Sequence, residues 1–128
     1  MFIWLLNGDA TLPPKIRKTI GESLSTGNVY LSAISCWEIA MLAQRNRIIL
    51  TKPCIEWITE GFSRSGIQLL ELTPEISVES CQLPDFHHGD PADRMIIASA
   101  RLTNSYLVTR DQTIIAYGKK HYVNIIAA

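Results

Sequence analysis

Gly89-Asp90-Pro91-Ala92-Asp93-Arg94-Met95-Ile96-Ile97-Ala98-Ser99-Ala100, followed shortly by Tyr106-Leu107-Val108-Thr109-Arg110-Asp111, decides how this chain is read. Asp before Pro is a helix start. The Asp side chain accepts an otherwise unpartnered amide, and the proline falls at the first helical position, where a missing N–H costs nothing. Met95 to Ala100 then continues the helix with an apolar face. Tyr-Leu-Val-Thr is short, apolar and without alternation, as expected of a strand covered on both faces. A capped helix feeding a buried strand that ends in Arg-Asp is one repeat of an α/β pattern.

The same pattern extends in both directions. Residues 29–34 (VYLSAI), 67–72 (IQLLEL), 106–109 (YLVT) and 122–126 (YVNII) read as strands. Pro13 and Pro14 open a helix carrying Ile16, Ile20 and Leu24 on one stripe, and Gly27-Asn28 turns the chain into the first strand. Ser35 is assigned as the start of a helix with Ile39, Leu42 and Ala43 inward. Pro53 opens another, with Ile55, Ile58 and Phe62 at helical spacing, and Thr73-Pro74 repeats the cap-then-proline device ahead of Ile76 and Val78. Strands alternating with helices predict an α/β domain with a mostly parallel sheet, whose site lies beyond the carboxyl ends of the strands.

The composition agrees with one such domain. The chain has 128 residues, 47% hydrophobic and 19% charged, which excludes a disordered chain and suits a single domain over 1–128. Twelve basic and twelve acidic residues leave a net charge of zero, against a protein that coats nucleic acid electrostatically. A nucleic-acid enzyme with a local basic rim remains open. No apolar run approaches the ~20 residues of a membrane span, and the run over residues 1–6 lacks the flanks of a signal peptide. Cys36, Cys54 and Cys81 are odd in number and widely spaced, which points to buried thiols in a reducing cytoplasm. His87, His88 and His121 form no H-x-x-x-H pair, so no histidine metal site is expected. Trp4, Trp37 and Trp57 are read as core or dimer packing, and Met41 and Met95 as core.

Three acids stand where the elements meet: Glu38 after the first strand, Asp93 in the helix start, and Asp111 after the 106–109 strand. Carboxylates gathered in one crevice repel one another unless a divalent cation neutralises them, and Mg²⁺ and Mn²⁺ prefer such hard oxygen donors. Metal-assisted hydrolysis of a phosphodiester is the chemistry they suit. Each acid also has a plainer role open to it. Ser35-x-x-Glu38 fits a capping box, Asp90 an N-cap, Asp93 a charge complementing the helix dipole, and Asp111 a turn. Arg94, Arg101, Arg110, Lys119 and Lys120 can form a basic rim or simply a solvated surface. Ser32 and Ser35 flank the same strand end, and either hydroxyl can support a water at the metal.

Residues 31–39 (LSAISCWEI), 83–98 (LPDFHHGDPADRMIIA) and 107–111 (LVTRD), together with Trp4-Leu-Leu-Asn-Gly-Asp9, resemble the PIN-domain toxins of bacterial toxin–antitoxin pairs, the VapC type. The likeness runs through the whole chain in order. It implies a three-layer α/β/α sandwich around a parallel sheet and an endoribonuclease dependent on Mg²⁺ or Mn²⁺. The implied partners are an RNA substrate, an antitoxin protein and a second copy of the chain. By resemblance Glu38, Asp93 and Asp111 match the family's metal-binding and catalytic acids. Asp90 is an extra acid, a helix cap that can also support the ligands, as can Ser35. Arg94 and Arg110 are the RNA-binding candidates.

One departure matters. The family opens with a strand ending in Asp, and this sequence starts beyond that position, so that central strand and its acid are expected to be absent from the chain. Asn7-Gly8-Asp9 reads as the turn ending the next helix, so Asp9 is no substitute. Either Met1 is an internal methionine of a longer protein, which is favoured, or the chain is an inactive remnant that binds an antitoxin or itself. A receiver-like phosphoacceptor domain would need a strand-end Lys, and none of the four strands ends in one.

Overall fold

The computed structural model describes residues 13–128, which fall into two compact units, the chain passing from one to the other between Glu71 and Leu72. The first unit contains α1 (Pro14–Ser25), β1 (Tyr30–Ser32), α2 (Ala33–Gln44), α3 (Cys54–Ser65) and β2 (Gln68–Leu70). The second contains α4 (Pro74–Cys81), α5 (Pro91–Leu102), β3 (Tyr106–Thr109), α6 (Gln112–Lys119) and β4 (Asn124–Ala127). Among the described residues each unit has one pair of parallel strands. In the first, Leu31 lies opposite Leu69. In the second, Leu107 lies opposite Ile125 and Val108 opposite Ile126. Parallel pairs need helical crossovers, and α2–α3 and α6 supply them. The expectations for residues 1–6, Trp4 and Asp9, and for a strand ahead of them, lie outside the described residues.

In the first unit the core is Ile39, Ile58 and Ile67, with Leu24, Leu31, Cys36, Trp57 and Phe62 packed around it. The proline-opened α1 runs as expected and buries Ile16 and Ile20. The start of α2 does not. Ser32, not Ser35, is the N-cap, and its hydroxyl accepts the Ile34 amide at 3.3 Å. The strand therefore stops at Ser32, and Ala33 and Ile34, expected in the strand, are helical. The Ser35-x-x-Glu38 capping box is corrected accordingly, since both residues sit within the helix. The physical reason is that α2 is apolar nearly all round, so its first turn carries no amphipathic signature to separate it from a buried strand. Ile55 is likewise out of place: it is 71% exposed, and Cys54, Trp57, Ile58 and Phe62 make the inward face of α3. Trp37 is 55% exposed rather than core. Gly66 ends α3 at φ 77°, a left-handed conformation that favours glycine.

In the second unit Ile76, Leu83, Phe86, Ile97, Ala98, Ile114, Tyr117 and Val123 form one core. Thr73 caps α4 as expected, accepting the Ile76 amide at 3.2 Å, while Val78 faces solvent. The limits of β3 match the sequence reading. The last strand is shifted, because Tyr122 and Val123 turn into the core and Tyr122 stacks on Tyr117 at 4.8 Å. The helix α6 was not expected. Asp111 caps it, and Ile114 and Tyr117 are its buried face. Its eight residues include Gly118, a poor helix former, so periodicity alone is weak there.

Gly118 is there for fit against the sheet. A Cβ at this position would lie 2.2 Å from Ile125 Cγ1 and 3.0 Å from Ile125 Cβ. Gly118→Ala gains roughly 1 kcal/mol of helix propensity but overpacks the interface, which typically costs about 1–3 kcal/mol. A lower melting temperature is expected. A variant as stable as the parent would mean that α6 shifts off β4 without cost.

Candidate metal centre

Two helix starts build the site. At α5, Asp90 is the N-cap and its Oδ1 accepts the Asp93 amide at 3.1 Å, while Pro91 sits where no donor is needed. Asp93 thus stands in the first turn of α5, where a carboxylate complements the helix dipole. At α6, Asp111 follows β3, and its Oδ1 accepts the amides of Thr113 at 2.9 Å and Ile114 at 3.1 Å. The Asp111 amide in turn donates to Thr109 Oγ1 at 3.1 Å. Each cap engages one carboxylate oxygen, and a carboxylate has two.

The electrostatics tie these groups together. Burial pushes the Asp93 carboxyl above its ordinary value. The like charges of Asp90 and Asp111 push it further, and His88 partly offsets them. Asp90, Asp111 and His88 are therefore all within electrostatic reach of Asp93. A hard divalent cation fits this donor set, because it would relieve the repulsion that burial sharpens. Among the described residues no three His, Cys, Asp or Glu side chains make a ready cage. Mg²⁺ does not require one: it commonly takes one or two carboxylates, keeps several waters and uses substrate phosphate oxygens.

The other sequence candidates divide. Glu38 lies in the second turn of α2, in the first unit, half-buried. Ser35 lies on the same helix. Arg94 Nε donates to the Ser80 carbonyl at 2.7 Å, and Nη1 to those of Phe86 at 3.0 Å and His88 at 2.9 Å. Arg110 is half-buried just past β3. Arg101 binds Glu79 at 3.1 Å and also the Tyr122 carbonyl, so it is committed within its unit. Lys120 lies 3.8 Å from Asp85, and Lys119 is exposed. Sequence reasoning passed over His88 because it looked for paired histidines. The available signal was its place two residues ahead of the Asp90 cap.

The chain has parallel strand pairs and carries Asp111 just beyond the end of β3, and ligands of open α/β sheets bind beyond the carboxyl ends of the strands. The chain belongs to the PIN-domain family, whose model matches residues 1–120. Its fold is therefore the family's α/β/α arrangement around a parallel sheet. It is also similar to Ribonuclease VapC22 of Mycobacterium tuberculosis, with 34% identity over 84 residues, 66% of this chain. The matched stretch spans 63% of that relative's length. Among the described residues no helix is long and apolar enough to cross a membrane.

Proposed function

We propose that this chain is an endoribonuclease of the VapC type, dependent on Mg²⁺ or Mn²⁺ and acting in the cytoplasm as the toxin of a type II toxin–antitoxin pair. The observation that carries this is the half-buried Asp93 carboxyl, raised by burial and by Asp90 and Asp111 around it. Asp93 and Asp111 would hold the ion. Glu38 is a further candidate acid on the family pattern alone. Asp90 keeps the first turn of α5 formed, so that Asp93 is presented in one orientation. Arg110 is the candidate for an RNA phosphate, and Ser35, beside Glu38 in sequence, for a supporting hydrogen bond. A bound divalent ion would neutralise phosphodiester charge and lower the pKa of a water. The antitoxin and a second copy of the chain are the proposed protein partners.

The similarity to a protein named a ribonuclease supports RNA as substrate. Incubation with RNA in Mn²⁺ or Mg²⁺, with Glu38→Gln alongside, tests the assignment. Cleavage that needs the ion and is lost in Glu38→Gln is expected. Equal cleavage by both proteins would identify a contaminant. No cleavage by the parent, together with tight binding of a protein partner, would favour an inactive binding module.

A further inference from the structure

The segment joining α4 to α5, residues 82–89, has no regular structure and no ladder to hold it, yet it ends at the Asp90 cap. Three devices hold it. Leu83 and Phe86 are buried in the core, at 5% and 6% exposure. The Tyr117 hydroxyl donates to the Pro84 carbonyl at 2.5 Å. The Arg94 guanidinium reaches back from α5 to three carbonyls, at Ser80 on α4 and at Phe86 and His88 in the segment. It also lies 5.6 Å from the centre of the Phe86 ring, within cation–π range. One planar fork thus ties the end of α4, the segment and the first turn of α5 together. Lys, a point donor on a flexible stem, cannot reproduce that geometry.

We propose that Arg94 is a positioning residue of the acidic site: by tying the Ser80, Phe86 and His88 carbonyls to α5, it fixes residues 82–89 so that Asp90 and Asp93 are presented together. It acts through the backbone and not by contact with RNA phosphate. This rests on the metal-dependent reading of the site above. Arg94 follows Asp93 directly in sequence, so any loosening of the fork is felt at the carboxylate that would hold the ion.

The test compares the parent with Arg94→Lys, Tyr117→Phe and Ile97→Val, well below their melting temperatures. Three quantities are read: amide exchange over residues 82–93, Mn²⁺ affinity by calorimetry, and the salt dependence of RNA binding. Arg94→Lys should speed exchange across the segment and weaken Mn²⁺ roughly tenfold or more, as loss of a supporting partner commonly does. Its salt slope should match the parent's. Ile97→Val, destabilised in the core of the same unit, should leave Mn²⁺ affinity unchanged, which separates positioning from general loss of stability. Unaltered exchange and Mn²⁺ affinity in Arg94→Lys would overturn the proposal. So would a salt slope lower by about one with Mn²⁺ affinity intact, the signature of a phosphate contact. If Arg94→Lys does not fold, Tyr117→Phe, which frees the same segment at Pro84, should show the faster exchange and weaker Mn²⁺ binding, and the absence of both would sink the idea. If the parent binds no Mn²⁺, the metal reading fails by itself, and the exchange data alone decide whether Arg94 holds the segment.

Discussion

Mn²⁺ is expected to raise the melting temperature of this protein, and Asp93→Asn to abolish most of that rise. An ion that binds only the folded state stabilises it by about 2.7 kcal/mol at a hundred times its dissociation constant. For a domain of this size that is on the order of 10 °C. The direction without metal follows from Asp93 itself. Its folded carboxyl is raised above the ordinary value of 3.8, chiefly by burial, so the folded state holds that proton more tightly than the unfolded chain does. Stability from this group is complete below the ordinary value and is lost as pH rises through the folded one. At neutral pH the charged carboxylate therefore destabilises the metal-free protein. Asp93→Asn should make the metal-free form more stable at neutral pH and flatten that part of its pH dependence, while losing the response to Mn²⁺. Asp90→Asn should behave differently, because Asn caps a helix about as well as Asp and the Asp93 amide keeps its acceptor. Its Mn²⁺ response should largely persist. Melting curves of the three proteins with and without Mn²⁺ decide the matter. A shift lost in Asp90→Asn but kept in Asp93→Asn would reverse the roles given to the two acids.

Ile97→Ala should cost about 2–5 kcal/mol, the range for truncating a large aliphatic side chain in a closed core. Ile97 has 0% exposure and shares its core with Ile76, Leu83, Phe86, Ile114 and Tyr117. Ala98 and Ala100 beside it on α5 are too small to expand into the space left behind. Ile97→Val should cost only about 0.5–1.5 kcal/mol. The site should tolerate the milder change, because the first turn of α5 is held by its own cap and by Arg94 rather than by Ile97. Urea or thermal unfolding measures the first effect and Mn²⁺ calorimetry the second. A loss below ~1 kcal/mol for Ile97→Ala would show a core that collapses onto the vacancy. A large loss of Mn²⁺ affinity in Ile97→Val would mean that the site depends on core packing.

The elements most legible in the sequence are those with a local cause. Thr73-Pro74 and Asp90-Pro91 announce helix starts because a side-chain acceptor and an N–H-free residue satisfy a helix end without help from elsewhere. The 106–109 strand is short and apolar without alternation, and its observed limits are those of that run. Asp90 and Asp111 each stand at the N-cap of a helix, whereas Glu38 lies inside α2. Where periodicity fades, the reading fails. The apolar start of α2 reads as strand up to Ser35 although the helix begins after Ser32, and α6 carries little local signal because Asp111 also suits a turn and Gly118 weakens the helix.

The alternation of helices and strands and the capped starts of α4 and α5 follow from the sequence alone, because these depend on neighbours a few residues apart. Tertiary structure alone decided which surfaces face water, leaving Trp37, Ile55 and Val78 exposed although their types favour burial. It also decided that Asp90, Asp111 and His88 act on Asp93, and that Arg94 is committed to three carbonyls. Burial, like-charge repulsion and the reach of a guanidinium are set by groups brought close in space from separate parts of the chain, and no local pattern encodes them.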